Sequence, residues 1–199
     1  MRISDEVTLH APLDRVWRAL NDPAVLVRTL PGCERLEATG PDSYKMIVTA
    51  GVASIRGTYA GEVKLHDQQP PNSFVMTASG AGGPGTVSTE VQVRLVEVDG
   101  ATRLSYDAEA VVGGMIGGVG QRMLAAVGKK MAGEFFAAVD DVLNGRAEAP
   151  VAVAPESGVF VAPGSRPAAG QGFAAGAVFG AVIALAGVAL GWRLARRPR

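Results

Sequence analysis

The sequence predicts an α+β domain in which an antiparallel, curved sheet of about seven strands wraps one long C-terminal helix. Three observations predict it. Residues 87–95 and 103–110 alternate apolar and polar side chains, the pattern of strands with one covered and one wet face. Residues 117–143 instead repeat apolar positions every three or four residues, which is the helical period. Between them and a short helical opening, strand-like runs follow one another, separated by turn residues, so the strands form an antiparallel series and the helix covers it.

Taken in order, Arg2 to His10 alternates and opens the sheet. A helix starts near Pro12 in "APLDRVWRALND" and gathers Leu13, Val16, Trp17 and Leu20 on one face. Pro23 and Pro31 bracket a second, short helix. Strands follow in "ERLEAT", "SYKMIVTA", "TYAGEVKLHD", "SFVMTASG", "TVSTEVQVRLVEV" and "TRLSYDAEAVV". In the last two, Val87, Thr89, Val91, Val93 and Leu95 face the cover, as do Leu104, Tyr106, Ala108 and Ala110. The closing helix, from about Gly117 to Leu143, turns Leu124, Val127, Met131, Phe135, Ala138 and Val142 toward the sheet.

Composition divides the chain further. Residues 1–146 form the folded domain, and 147–171, rich in Pro, Ala, Gly and Ser, read as a flexible linker. Residues 172–192 carry no charge and, at about 1.5 Å per residue, reach across the roughly 30 Å hydrocarbon core of a bilayer. They are expected to form a C-terminal, single-pass transmembrane helix ahead of a basic tail, 193–199. The arginines of that tail favour an inside C-terminus, yet the opening residues lack the apolar core of a secretory signal. Moving a folded domain across without a signal is the harder event, so the domain is expected on the cytoplasmic side of the cell membrane.

Charge and composition also exclude functions. With 19 basic and 19 acidic residues, the chain has no general nucleic-acid footprint. Cys33 stands alone, and His10 and His66 lack metal-ligand spacing, so neither a disulfide nor a metal site is expected. "GAGGPG", Gly80 to Gly85, matches a dinucleotide fingerprint by letters, but a strand follows it where a helix is needed, so it reads as a hairpin loop. The glycines Gly113, Gly114, Gly117, Gly118 and Gly120 run from strand to helix without the fingerprint spacing. They read either as a plain turn or as a soft gate to whatever lies beneath the helix. Asp140 and Asp141 read as a solvated helix face, Asp107, Glu109 and His66 as outward or loop positions, and no catalytic grouping emerges. Binding is expected rather than bond-making.

The stretches "NDPAVLVRTLPGCERLE", "GVASIRGTYAGEVKL" and "TRLSYDAEAVVGGMIGGVGQRMLAAVGKKMAGEFF" resemble the CoxG family of aerobic carbon monoxide dehydrogenase, within the START/Bet v 1-like superfamily. The resemblance covers about Met1 to Leu143. It implies a helix-grip fold with an internal apolar cavity and a role as a membrane-linked accessory to a molybdenum hydroxylase, whose other subunits perform the oxidation. An enzyme that feeds electrons to a membrane chain points to a respiratory quinone, menaquinone or ubiquinone, as the carried ligand. Expected lining residues are Leu26, Leu30, Met46, Tyr59, Phe74, Met76, Tyr106, Met115, Ile116, Met123, Val127, Met131 and Phe135, although periodicity by itself favours a filled core at these positions. Two other classes stay open: a membrane recruiter with a collapsed cavity, and a helix-grip enzyme, which needs a buried acid or histidine.

Overall fold

The computed structural model describes residues 1–147 and 158–162. Strand β1 (Arg2–Leu9) leads into helices α1 (Leu13–Leu20) and α2 (Pro23–Thr29). Strands β2 (Cys33–Gly40), β3 (Ser43–Val52), β4 (Ile55–Gln69), β5 (Ser73–Gly82), β6 (Gly85–Val98) and β7 (Ala101–Gly114) follow as a meander. A 3₁₀ turn, Met115–Val119, then delivers the chain to α3 (Gln121–Leu143), and a short strand β8 (Val159–Val161) closes the order. All strands lie in one antiparallel sheet, β1-β7-β6-β5-β4-β3-β2-β8.

Local chemistry explains the short helices. Pro23 occupies the first turn of α2, where its missing N–H costs nothing, and the Asp22 carboxylate accepts from the Ala24 N–H at 2.8 Å. Val16, Ala19 and Leu20 of α1 are buried, with Leu13 and Trp17 packed beside them. The Trp17 ring meets Phe74 edge-on at 5.8 Å between centroids. The turn into β2 needs Gly32: its φ is +72°, and a Cβ there would strike the Thr49 carbonyl.

Three expectations need correction. The sheet has eight strands rather than about seven, because Val159–Val161, inside the expected linker, pairs with β2. A three-residue strand is too short to announce itself by alternation; its register comes from the unpaired edge of β2. Second, α3 begins at Gln121 and not near Gly117, because the glycines take the 3₁₀ turn and Gly120, at φ +98°, precedes the helix.

Third, the buried face of α3 is Leu124, Phe136, Val139 and Leu143, rotated by about one residue from the expected stripe. Phe135, Ala138 and Val142 sit on its flank, half-buried. The cause is Gly128, where a Cβ would lie only 2.5 Å from Ile3 Cδ1. A side chain of no size permits the close approach to β1, and a count of large apolar residues gives such a position no weight.

The C-terminal end of α3 is latched to the corner after β1. Asp140 accepts from the backbone N–H of His10 at 2.6 Å, lies 3.1 Å from that histidine's Nδ1, and pairs with Arg146 at 2.8 Å. Arg15 donates to the Leu143 carbonyl at 2.7 Å. Asp140 is thus no free member of a solvated face: its side chain is only 14% exposed. Burial pushes its carboxyl up, but the His10 bonds and the Arg146 charge outweigh that and hold it below the usual range. A depressed carboxyl stabilises above the unfolded-state pKa, and that stability is lost as pH falls through the folded-state value. Asp140→Asn is therefore expected to lower stability at pH 7 by about 1–2 kcal/mol and to flatten the acid limb of the wild-type profile. Denaturant titrations from pH 7 down to pH 3 measure both.

Candidate ligand-binding site

Cross-strand pairing fixes which side chains share the inner face, under the helices. Leu95 and Leu104 pair, as do Phe74 with Val93 and Val93 with Tyr106, and Leu65 pairs with Met76. Leu95 and Leu104 are fully buried and, with Phe74, Val93, Leu65 and the α1 residues, make a solid core. Further along the strands the same face loosens. Met46, Val48, Val63, Met76, Val91 and Tyr106 are only partly buried and pack on the margin of that core. One row reads Met46, Gly61, Gly80, Val87 across four strands, all of them half-buried.

On α3, Val127, Met131 and Phe135 are also half-buried, Phe135 packing on the core, while Leu26 and Leu30 of α2 pack on the core from its side. The Tyr106 ring lies 5.6 Å from Phe136, which in turn lies 5.0 Å from Phe135. Burial first, and then the Asp5 carboxylate, pushes the Tyr106 hydroxyl up, so it stays protonated and able to donate. The arrangement offers an apolar, partly accessible wall with a phenol beside it. Such a wall suits a water-insoluble molecule.

The thirteen expected lining residues divide accordingly. Phe74 belongs to the solid core. Leu26, Leu30, Met46, Met76, Tyr106 and Phe135 stand at its margin. Tyr59, Val127 and Met131 are half-buried beyond it. Ile116 is buried under the glycine turn, its N–H donating to the Pro84 carbonyl at 3.2 Å. Met115 and Met123 are 64% and 47% exposed, so neither lines an interior: the 3₁₀ turn points one outward, and the rotation of α3 does the same to the other.

The glycines expected to form a gate build this turn. Gly114 has φ +76°, and a Cβ there would come within 2.6 Å of Gly85 Cα in the neighbouring hairpin. Gly113 and Gly117 face Thr86 Oγ1 and the Val112 carbonyl at similar separations, whereas Gly118 and Gly120 meet nothing. "GAGGPG" is the β5–β6 hairpin, with Gly82 opposite Gly85.

Open grooves of about 770, 700 and 600 Å³ run along the sheet, largely on its outer face. Charged and hydroxylic side chains border the first (Glu62, Ser79, Ser88, Glu90) and the third (Arg2, Asp5, Glu6, Asp107), which does not suit a greasy occupant. The second is mostly apolar, with Ile47, Ala60 and Val111 beside the Met46, Gly61, Gly80, Val87 row. Asp107 and Glu109 are on the same outer face, Asp107 receiving the Arg2 Nε–H at 2.9 Å, and His66 lies 2.9 Å from Asp67. Among the described residues, no cluster of three His, Cys, Asp or Glu side chains is placed to hold a metal.

Burial pushes the Cys33 thiol up to about 11, with a small opposing bond to the Arg35 carbonyl. At pH 8 the folded chain is expected to react with a thiol reagent about a hundredfold more slowly than after denaturation, as absorbance of the released chromophore will show.

The membrane-spanning segment expected at 172–192 lies outside the described residues, and no helix among the described residues is long and apolar enough to cross a membrane. A family model for CoxG, a component of carbon monoxide dehydrogenase, matches residues 6–144. Among solved structures, a conserved protein from Geobacillus kaustophilus is 32% identical, with a TM-score of 0.71 over 74% of this chain and 98% of its own. A START superfamily protein from Mycobacterium smegmatis (12% identity, TM-score 0.58, 73% and 99% coverage) has the same fold. So has the ZhuI aromatase/cyclase from a Streptomyces species (19%, 0.53, 75% and 96%). No match emerges among curated protein sequences. The chain belongs to the CoxG family of carbon monoxide dehydrogenase, built on a START-type fold.

Proposed function

We propose that this chain is a membrane-anchored accessory of a molybdenum hydroxylase of the carbon monoxide dehydrogenase type. It holds a respiratory quinone, menaquinone or ubiquinone, between α3 and the sheet, and so links the enzyme to the membrane electron-transport chain. The observation that carries this reading is the division of the inner face into a solid core and a half-buried apolar half lined by Met46, Met76, Tyr106, Met131 and Phe135. Partly accessible apolar surface of that kind invites an apolar occupant. The family supports the partner, and the uncharged run 172–192 supports the anchor, with the domain on the cytoplasmic side.

The chain itself is read as non-catalytic. The fold also serves a cyclase in a distant neighbour; here Asp107 and Glu109 face outward, while Asp5, opposite Tyr106, is half-exposed and paired with Lys129 of α3 at 3.4 Å.

Reconstitution tests the proposal. Vesicles containing quinone and the hydroxylase are expected to reduce quinone faster with the full chain than with a chain ending at Gly164. Equal rates for the two chains would reject the anchored-carrier reading.

A further inference from the structure

Strand β8 is held to the sheet by few contacts. Arg35, Leu36 and Glu37 oppose Val161, Phe160 and Val159, and two bonds flank them: Ala38 N–H to the Gly158 carbonyl at 2.9 Å and Ala162 N–H to the Glu34 carbonyl at 3.2 Å. The single large anchor is Phe160, which shares the inner face with Leu36 and packs on the core, while β8 also touches α2. Leu36 in turn pairs with Met46. Phe160 is therefore the end of the row that runs through Leu36 and Met46 into the apolar half of the face. It lies on the side where α2 presents Leu26 and Leu30.

We propose that residues 158–162 form a releasable strap, with Phe160 as the closing wall of the ligand site on the α2 side, and that ligand exchange requires β8 to leave β2. One partly buried ring set against the ordering of five residues leaves such a strap marginally stable, so it opens while the other seven strands of the sheet stay paired. The inference rests on the apolar-ligand reading above and adds to it a residue outside the expected domain boundary.

A covalent lock tests it. The flanking bonds make Glu37 and Val159 a non-hydrogen-bonded pair, whose Cα atoms in such ladders lie about 4.5 Å apart, within disulfide reach. Glu37→Cys with Val159→Cys in the full chain gives an oxidised, closed form and a reduced form, desalted before loading; the buried Cys33 does not interfere. Release of decylubiquinone into acceptor vesicles is expected to be at least about tenfold slower from the oxidised form, and Phe160→Ala is expected to release faster than wild type. Equal rates in both redox forms would overturn the strap, whereas no uptake by either form would overturn the ligand reading on which it rests. Independently of any ligand, the amides of Ala38 and Ala162 are expected to exchange with deuterium at least about a hundredfold faster than those of Leu95 and Leu104. Equal protection would also overturn the strap.

Discussion

Leu104→Ala is expected to lower the free energy of unfolding by about 2–5 kcal/mol. Leu104 is completely buried, pairs with Leu95 on β6 and Val7 on β1, and lies in the core that α1 and α3 cover. Removing its branched end leaves a hole that three elements would have to close at once, and an interior strand and two helices cannot collapse together without breaking other contacts. Val111→Ala, on the outer face of the same strand and 75% exposed, is expected to change stability by less than about 0.5 kcal/mol. Parallel denaturant titrations give both values; similar losses at the two positions would contradict the assignment of inner and outer faces.

Met131→Asp is expected to weaken quinone binding at least about tenfold while lowering stability by only about 1–2 kcal/mol. Met131 is half-buried on α3 and is not part of the packed core, so its loss leaves the folded framework in place. A carboxylate there would face an apolar occupant with no partner for its charge, and the ligand would have to dehydrate it in order to bind. Titration of the purified domain with quinone, read by quenching of Trp17 fluorescence, separates this outcome from the recruiter reading, in which Met131→Asp behaves like wild type.

The meander was legible because each strand has one wet face: residues 87–95 and 103–110 alternate in the sequence and keep that alternation in the sheet. The two short helices were legible from Pro12, Pro23 and Pro31, whose conformational preferences act locally. What escaped depends on partners distant in sequence. The face of α3 follows from Gly128 meeting Ile3, β8 exists because β2 has a free edge, and the burial of Asp140 follows from the His10 corner. Among the expected lining residues, strand parity put Tyr106 on the inner face, where the sheet has it, whereas Met115 and Met123 depended on a helix start and rotation that hydrophobic spacing misjudged. Phe160 lay beyond the expected domain boundary.

The most direct measurement is to purify residues 1–164 from quinone-producing cells, which keeps β8 within its compact unit, and to extract the protein with organic solvent. Mass spectrometry and ultraviolet absorption of the extract are expected to show about one quinone per chain. An extract without quinone, from protein that also takes up none when it is added, would contradict the account.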